Sequence, residues 1–492
     1  MAHKSTLGKG FARKKETKKN YSKFLSRTLS FILWISFAAT IFALIFFYPN
    51  IPEWHFSSLF KINGFTILIW SIVTFFSALI NSYSTNYLKG FKYQSTFTLL
   101  CLGFTLSVML FVMADHILFL IVGWFFMGFF MSKLIGVEKD WGEAREASKF
   151  TQRYFLAGTF FLAVGLLLLS FQLNTFLVSD IIPKINTLPF YISLIAGLCI
   201  ITAAIIQSAI YPFHRWLLSA MTSPTPASAL MHAGFVNGSG ILLAIFASLI
   251  FASKTQDLLL LIGGVTAIVA QFTKLIQVNV KQKLACSTMA QMGFMIMQCG
   301  LGFYNAAVVH LLLHGFYKAY LFLSSGEEIK NSVPKNAERI TIKPLQAVVV
   351  IIFGTFGALL FTFITGKGSH LNSGIFLILI IAITVGQVTY NIVKEKNLSF
   401  LQKLALPPIL FLIGIITYSL IYNAVTQIMG SMPMVDHPMP LSTLQIIFGI
   451  VFLMGFFIMK LGIYKKIPWL YVKLMNASQP YKKTVLMYKS KV

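Results

Sequence analysis

Apolar residues dominate this chain in long blocks separated by short polar loops. Fourteen such blocks run approximately 29–48, 65–87, 96–114, 117–136, 154–173, 189–211, 228–251, 258–278, 284–302, 306–326, 345–365, 374–393, 404–426 and 444–463. Each is about 20 residues long, the length of helix that crosses a bilayer. The pattern predicts an all-α polytopic membrane protein with about fourteen transmembrane helices. The transmembrane domain covers residues 29–463, between a basic N-terminal tail (1–28) and a basic C-terminal tail (464–492).

One stretch departs from the pattern. Residues 207–240, QSAIYPFHRWLLSAMTSPTPASALMHAGFVNGSG, are apolar enough for a membrane yet hold Pro212, Pro224, Pro226, His214, Arg215 and His232. A lipid-facing helix would exclude these residues. Irregular polar backbone survives at membrane depth only where protein or a water-filled cavity satisfies it. The stretch is therefore a candidate transport pathway.

Charge placement fixes the expected topology. Nine basic residues between Lys4 and Arg27 put the N-terminus in the cytoplasm. Alternating sides at each block then places 35 of the 40 Lys and Arg on the cytoplasmic side. Lys61, Lys184, Lys254 and Lys367 fall outside or at the outer boundary, and Lys318 falls within a block. A wrong count would scramble this separation, so both termini are expected in the cytoplasm. The net charge of +26 follows from that topology and from attraction to the anionic lipid bilayer, not from nucleic acid. The long basic head, followed by a block without a small-residue cleavage site, does not read as a cleavable signal.

Composition narrows the chemistry. The chain is 57% hydrophobic and 11% charged. Cys101, Cys199, Cys286 and Cys299 lie within or at the edges of blocks without metal-ligand spacing, and read as packing residues. No phosphate-cradling loop or dinucleotide motif is present, so no cofactor is expected in this chain, and transport rather than enzymatic catalysis is the expected role.

The candidate site residues are those that do not belong in lipid. Lys318 lies near the middle of its block, where a charge costs at least a few kcal/mol unless it faces a polar interior. His310, His314 and Lys318 stand at i, i+4 and i+8, so they share one helix face and form a column rising ~12 Å. Such a column suits a hydrated proton path; a polar seam between helices is the plainer alternative. His232, which follows the Pro224/Pro226 break, and Gln207, a neutral polar residue inside a block, are further pathway candidates. Gln207 reads equally well as a helix–helix hydrogen bond. Lys367, between glycines in TGKGSH, marks a helix end or break and serves either the pathway or the interface. His214 and Arg215 are expected to anchor to headgroups. Lys133 reads as pathway or interface; Lys274, Lys281 and Lys283 read as topological. All fourteen Asp and Glu fall in loops, tails or block boundaries, which argues against a self-sufficient sodium/proton exchanger.

Three blocks carry a resemblance: PFHRWLLSAMTSPTPASALMHAG (212–234), VKQKLACSTMAQMGFM (280–295) and HLLLHGFYKAYLFLSSG (310–326). Together they resemble the proton-translocating family shared by complex I antiporter-like subunits, Mrp-type antiporters and the DabB subunits of inorganic carbon pumps. The resemblance implies two inverted five-helix repeats with discontinuous central helices. It also implies that Lys318, His314 and His310 line a central hydrated axis. The segments HAGFVNGSG and STMAQMGFMIMQCGLG look like the DabB branch. Complex I subunits carry a membrane glutamate after a tryptophan, where this chain has Phe125 after Trp124. They carry a lysine where this chain has Gln207, and lysine–aspartate where it has Lys367–Gly368. No long lateral helix follows residue 463. These departures put the first half-channel in doubt. The DabB branch implies an ion-conducting subunit of a bicarbonate/CO2 pump in a bacterial inner membrane, driven by proton or sodium influx. Its implied partner is a DabA-like zinc-containing cytoplasmic subunit. A respiratory or hydrogenase-type proton-pumping subunit, an Mrp-like antiporter component and a scaffold with a vestigial axis remain the alternatives.

Overall fold

The structure is a computed structural model and describes residues 8–331, 344–368, 370–394, 399–461 and 463–485. The helices of the first half are α1 (Gly8–Phe47), α2 (Gly64–Tyr87), α3 (Gln94–Met113), α4 (Ile117–Ile135), α5 (Gly142–Leu173), α6 (Val178–Lys184) and α7 (Phe190–Gln207). A broken central region follows, with α8 (Arg215–Ser219), α9 (Thr225–Ala233), α10 (Gly238–Ile245) and α11 (Ala247–Ala252). The second half holds α12 (Gln256–Ile276), α13 (Val280–Gly300), α14 (Tyr304–Asn331), α15 (Pro344–Thr365), α16 (Gly374–Lys394), α17 (Phe400–Ile428), α18 (Thr443–Leu461) and α19 (Pro468–Ala477).

Helix covers most of every predicted block. Ten described helical segments are long and apolar enough to cross a membrane, with α9 and α10 counted together; Ile352–Thr365 and Thr443–Met459 are shorter apolar helices. α13 falls outside both groups because it carries Lys281, Gln282, Lys283, Ser287, Thr288, Gln291 and Gln298. Its buried face accounts for part of that composition, since Ser287, Thr288 and Gln298 turn into the protein. The fold is inside-out relative to a soluble domain. Phe42, Phe160 and Phe363 are 68%, 63% and 88% exposed, while Asn81, Gln207, Asn237 and Lys318 are buried. Exposed apolar area on this scale is the signature of a lipid-facing surface.

Local chemistry sets the helix ends. Asn63 caps α2 by accepting from the Thr66 N–H at 3.0 Å, and Asn279 caps α13 by accepting from Lys281 and Gln282. Ser399 and Gln402 close a capping box on α17. α12 and α13 meet backbone to backbone at Gly263 and Gly293. A Cβ on Gly263 would lie 2.6 Å from the Gly293 carbonyl oxygen and from the Met297 nitrogen. Small residues at such a seam let two helices approach where lipid supplies no hydrophobic drive.

Segments assigned by charge to one side of the membrane meet in space. On the outer side, backbone bridges join Phe60 to Ala114, His116 to Leu177, Phe303 to Asp436 and Asn372 to Pro440. On the other side, the segment after α19 runs under α5 and α8. There the Tyr481 N–H donates to Ser219 Oγ at 2.9 Å, and the Tyr481 ring stacks on Phe150 at 4.3 Å. Three features differ from the sequence expectation. Helix α1 begins at Gly8, well inside the basic tail. The loop after α1 folds into a hairpin, β1 (Trp54–Phe56) against β2 (Phe60–Ile62), joined across its base by Glu53 and Lys61 at 2.8 Å. The first part of the C-terminal tail is packed on the bundle, because Ser478 and Thr484 turn inward and Leu474 joins Ile276 and Tyr464 in an apolar cluster.

Candidate functional site: a buried polar axis

The chain breaks at the predicted prolines, where Ser223 is extended and Pro224 is the N-cap of α9, and it breaks a second time at Gly234. Pro226 sits in the first turn of α9, where it is tolerated, and the helix stops at Gly234. Residues Phe235–Asn237 form a single 3-10 turn before α10 resumes. The carbonyls freed there are met from within the protein. Gln207 Nε2 donates to the Phe235 carbonyl at 3.4 Å, and the Ser208 hydroxyl donates to the Val236 carbonyl. Asn237 Nδ2 donates to the Ala233 carbonyl at 2.7 Å. Gln207 is 2% exposed and ends α7, at the level of the break.

Helix α14 carries the column. The His310 and His314 rings lie parallel within 17°, with centroids 6.0 Å apart. Lys318, 0% exposed, donates from Nζ to the Leu284 carbonyl in the first turn of α13 at 3.0 Å. That carbonyl also accepts from the Thr288 hydroxyl at 3.1 Å, and Thr288 Oγ1 lies 2.9 Å from His232 Nδ1. With the hydroxyl proton directed at Leu284, His232 must supply the Nδ1–H. The order is then His232 Nδ1–H to Thr288, Thr288 O–H to Leu284, and Lys318 N–H to the same oxygen. The His232 ring stacks on Phe322 of α14 at 4.5 Å. The structure thus joins His232 to Lys318 through a hydroxyl and a carbonyl, neither of which the sequence reading singled out.

His310 opens onto a cavity of about 450 Å³ between α13, α14, α15, α16 and α17. Gln291, Gln298, Thr384 and Tyr418 share its wall with apolar residues such as Phe361, Leu377 and Phe411. A second cavity of about 250 Å³ adjoins it through Gln291, Phe294, Ile380 and Thr384. Among the described residues, His310 Nε2, both ring nitrogens of His314, His232 Nε2 and Gln298 Oε1 are buried without a hydrogen-bond partner. Of these atoms, His310 Nε2 and Gln298 Oε1 belong to residues lining the cavity, which has room for several waters.

The remaining predicted residues separate. Lys367 stands apart from the column, in the turn between α15 and α16, and pairs with Asp436. Gly366 and Gly368, at φ +69° and +77°, make that turn, and a Cβ on Gly368 would strike Ile378. His214 is not at the headgroups. Its ring is buried against Tyr211 at 3.8 Å, and Nε2 bonds the Ala477 carbonyl at 2.8 Å, so it holds the C-terminal segment. Arg215 is exposed. Lys281 donates to the Ser223 carbonyl at 2.8 Å. Lys133 lies over the Phe129 ring at the exposed edge of α4. Phe125 belongs to an aromatic patch with Phe126 and Phe129. Asp436 and Tyr422 are further polar residues of this half that sequence reasoning missed. Asp436 was legible only as one more loop carboxylate.

The fold and the axis define a polytopic helical membrane protein with a line of titratable residues in its interior. The chain belongs to the NADH:quinone oxidoreductase/Mrp antiporter transmembrane family, whose pattern matches residues 114–366. It is similar to the probable inorganic carbon transporter subunit DabB of Bacillus anthracis, 33% identical over 334 residues, covering 66% of this chain and 64% of that protein. The DabB subunit of Bacillus subtilis (strain 168) is 32% identical over 67% of this chain and 64% of its own length. NADH-quinone oxidoreductase subunit L of Pseudomonas aeruginosa is 32% identical over 54% of this chain and 44% of that protein. The chain thus spans less than two thirds of these curated relatives. Among solved structures, the Mrp complex from Dietzia sp. DQ12-45-1b shares the fold at TM-score 0.63 and 20% identity, over 94% of this chain and 57% of that one. A chain of the archaeal membrane-bound sulfane sulfur reductase, a respiratory membrane complex, matches at TM-score 0.56 and 19% identity, over 94% and 95%.

Proposed function

We propose that this chain is the ion-conducting membrane subunit of an energy-coupled inorganic carbon pump. The observation that carries the reading is the His310–His314–Lys318 column on α14, with His314 and Lys318 buried and His310 opening on a cavity. Two DabB proteins at 33% and 32% identity support the carbon assignment within the family. Protons or sodium ions move inward along the column, and their descent drives bicarbonate or CO2 accumulation by a DabA-like cytoplasmic partner. That partner supplies the zinc chemistry. The cytoplasmic face is the one bearing Lys281, His214 and the α19 segment, in a bacterial inner membrane. Each imidazole passes a proton by accepting on one ring nitrogen and releasing from the other, through water in the cavity. Lys318 is the central relay, and the Thr288–Leu284 bridge ties its position to His232.

The test is radiolabelled bicarbonate uptake in cells lacking carbonic anhydrase, with this chain expressed alone and beside its genomic neighbour. Uptake that needs both chains and collapses with an uncoupler supports the pump. Absence of uptake with both chains in the membrane favours the second reading, a subunit of a respiratory or antiporter complex. The likeness to subunit L and to the Mrp and sulfane sulfur reductase complexes supports that second reading.

A further inference from the structure

The outer end of the second half holds a charge pair that the column does not use. Lys367 Nζ lies 2.8 and 2.7 Å from the two carboxylate oxygens of Asp436. The two side chains are 18% and 22% exposed, so the pair sits between the outer surface and the interior. Two separate devices aim them at each other. The glycine turn at Gly366 and Gly368 presents Lys367. The loop between α17 and α18 presents Asp436, bridged to Phe303 and pinned where the Tyr304 and Asn305 N–H groups donate to the Val435 carbonyl at 2.9 and 3.1 Å.

A line of polar groups runs inward from this pair. The Tyr422 hydroxyl lies against the Asp436 carboxylate and accepts from Asn305 Nδ2 at 3.1 Å. Tyr418, one helical turn further along α17, packs against Tyr422 with ring centroids 6.4 Å apart and lines the cavity shared with His310. Among the described residues, the titratable groups recorded against Asp436 are Lys367 and Tyr422. The neighbouring His437 turns its ring onto Phe251 instead.

We propose that Asp436 is the outer ion-loading residue of this axis, and that its pair with Lys367 seals the cavity until an ion arrives. A proton from outer water converts the carboxylate to the acid, or a metal cation takes the ammonium's place beside it. Either change cancels the attraction that holds Lys367, and the ammonium withdraws. Tyr422 and Tyr418 then connect the loaded site to the cavity and to His310. This rests on the ion-conducting reading given above. It adds a residue that comes from a loop, on the far side of the cavity from Lys318.

The test places a reporter behind the seal. Gln298→Cys lines the cavity, in a chain whose four native cysteines are changed to alanine or serine, assembled with its partner in membrane vesicles. A membrane-impermeant methanethiosulfonate reagent is added from the outer side. Slow labelling is expected with Lys367 and Asp436 intact. Asp436→Asn is expected to speed it by at least about tenfold, the factor matching 1.4 kcal/mol of lost closure. The exchanged pair, Lys367→Asp with Asp436→Lys, is expected to restore slow labelling, which separates loss of the seal from misfolding. Equal labelling in the native pair and Asp436→Asn overturns the seal. Uptake is then measured: Asp436→Asn is expected to lose it and Asp436→Glu to retain it. Full uptake in Asp436→Asn overturns the ion-loading role. If no version of the complex takes up bicarbonate, the function proposed above fails, while the labelling rates still decide whether the pair is a seal.

Discussion

Lys318→Met separates a conducting residue from a structural one. Methionine keeps the length and volume of the lysine stem and removes the ammonium. The loss is one charge-assisted hydrogen bond to the Leu284 carbonyl, of about 1.5–3 kcal/mol. No orphan is left behind, because the Thr288 hydroxyl still donates to that oxygen. The gain is relief from holding a cation at 0% exposure, where the effective penalty is several kcal/mol. The balance predicts a variant at least as stable as the parent. Transport should vanish, since no amine or imidazole remains at that level of α14. Thermal unfolding of the detergent-solubilised complex gives the first quantity, and uncoupler-sensitive bicarbonate uptake the second. A variant destabilised by about 2 kcal/mol or more that still transports would refute the argument and make Lys318 a structural tie.

Other perturbations test neighbouring links. Thr288→Val keeps the shape but strips His232 Nδ1 of its partner, which should cost about 1–3 kcal/mol of stability and slow uptake; Thr288→Ser should restore both, as read by thermal unfolding and uptake rates. His214→Leu removes the bond to the Ala477 carbonyl, so residues near Tyr481 should be cut faster by protease added from the cytoplasmic side, at a net cost of about 1 kcal/mol. Gly263→Val drives a side chain into the Gly293 carbonyl, and membrane-inserted yield should fall sharply in a fluorescence-detected size-exclusion profile.

The sequence disclosed the class and the column for simple reasons. Apolar blocks of bilayer length and one-sided charge are local properties, and the i, i+4, i+8 spacing of His310, His314 and Lys318 survives in any straight helix. The partners lie elsewhere in the chain and could not be read that way. Thr288 meets His232 across 56 positions, and Lys367 meets Asp436 across 69. Both pairings depend on how helices stack and where a loop folds back. His214 shows the same limit from the other direction: a histidine at a predicted cytoplasmic helix end reads as interfacial until the C-terminal segment is seen to cover it. The break at Pro224 was legible from the prolines, but the second break after α9, at Gly234, carries no proline to announce it.

The most direct test of the account is the bicarbonate uptake rate of the co-expressed pair with wild-type chain against Lys318→Met, at matched membrane levels in cells lacking carbonic anhydrase. The account predicts uncoupler-sensitive uptake with the wild type and none above background with the variant. Equal uptake in the two would contradict it.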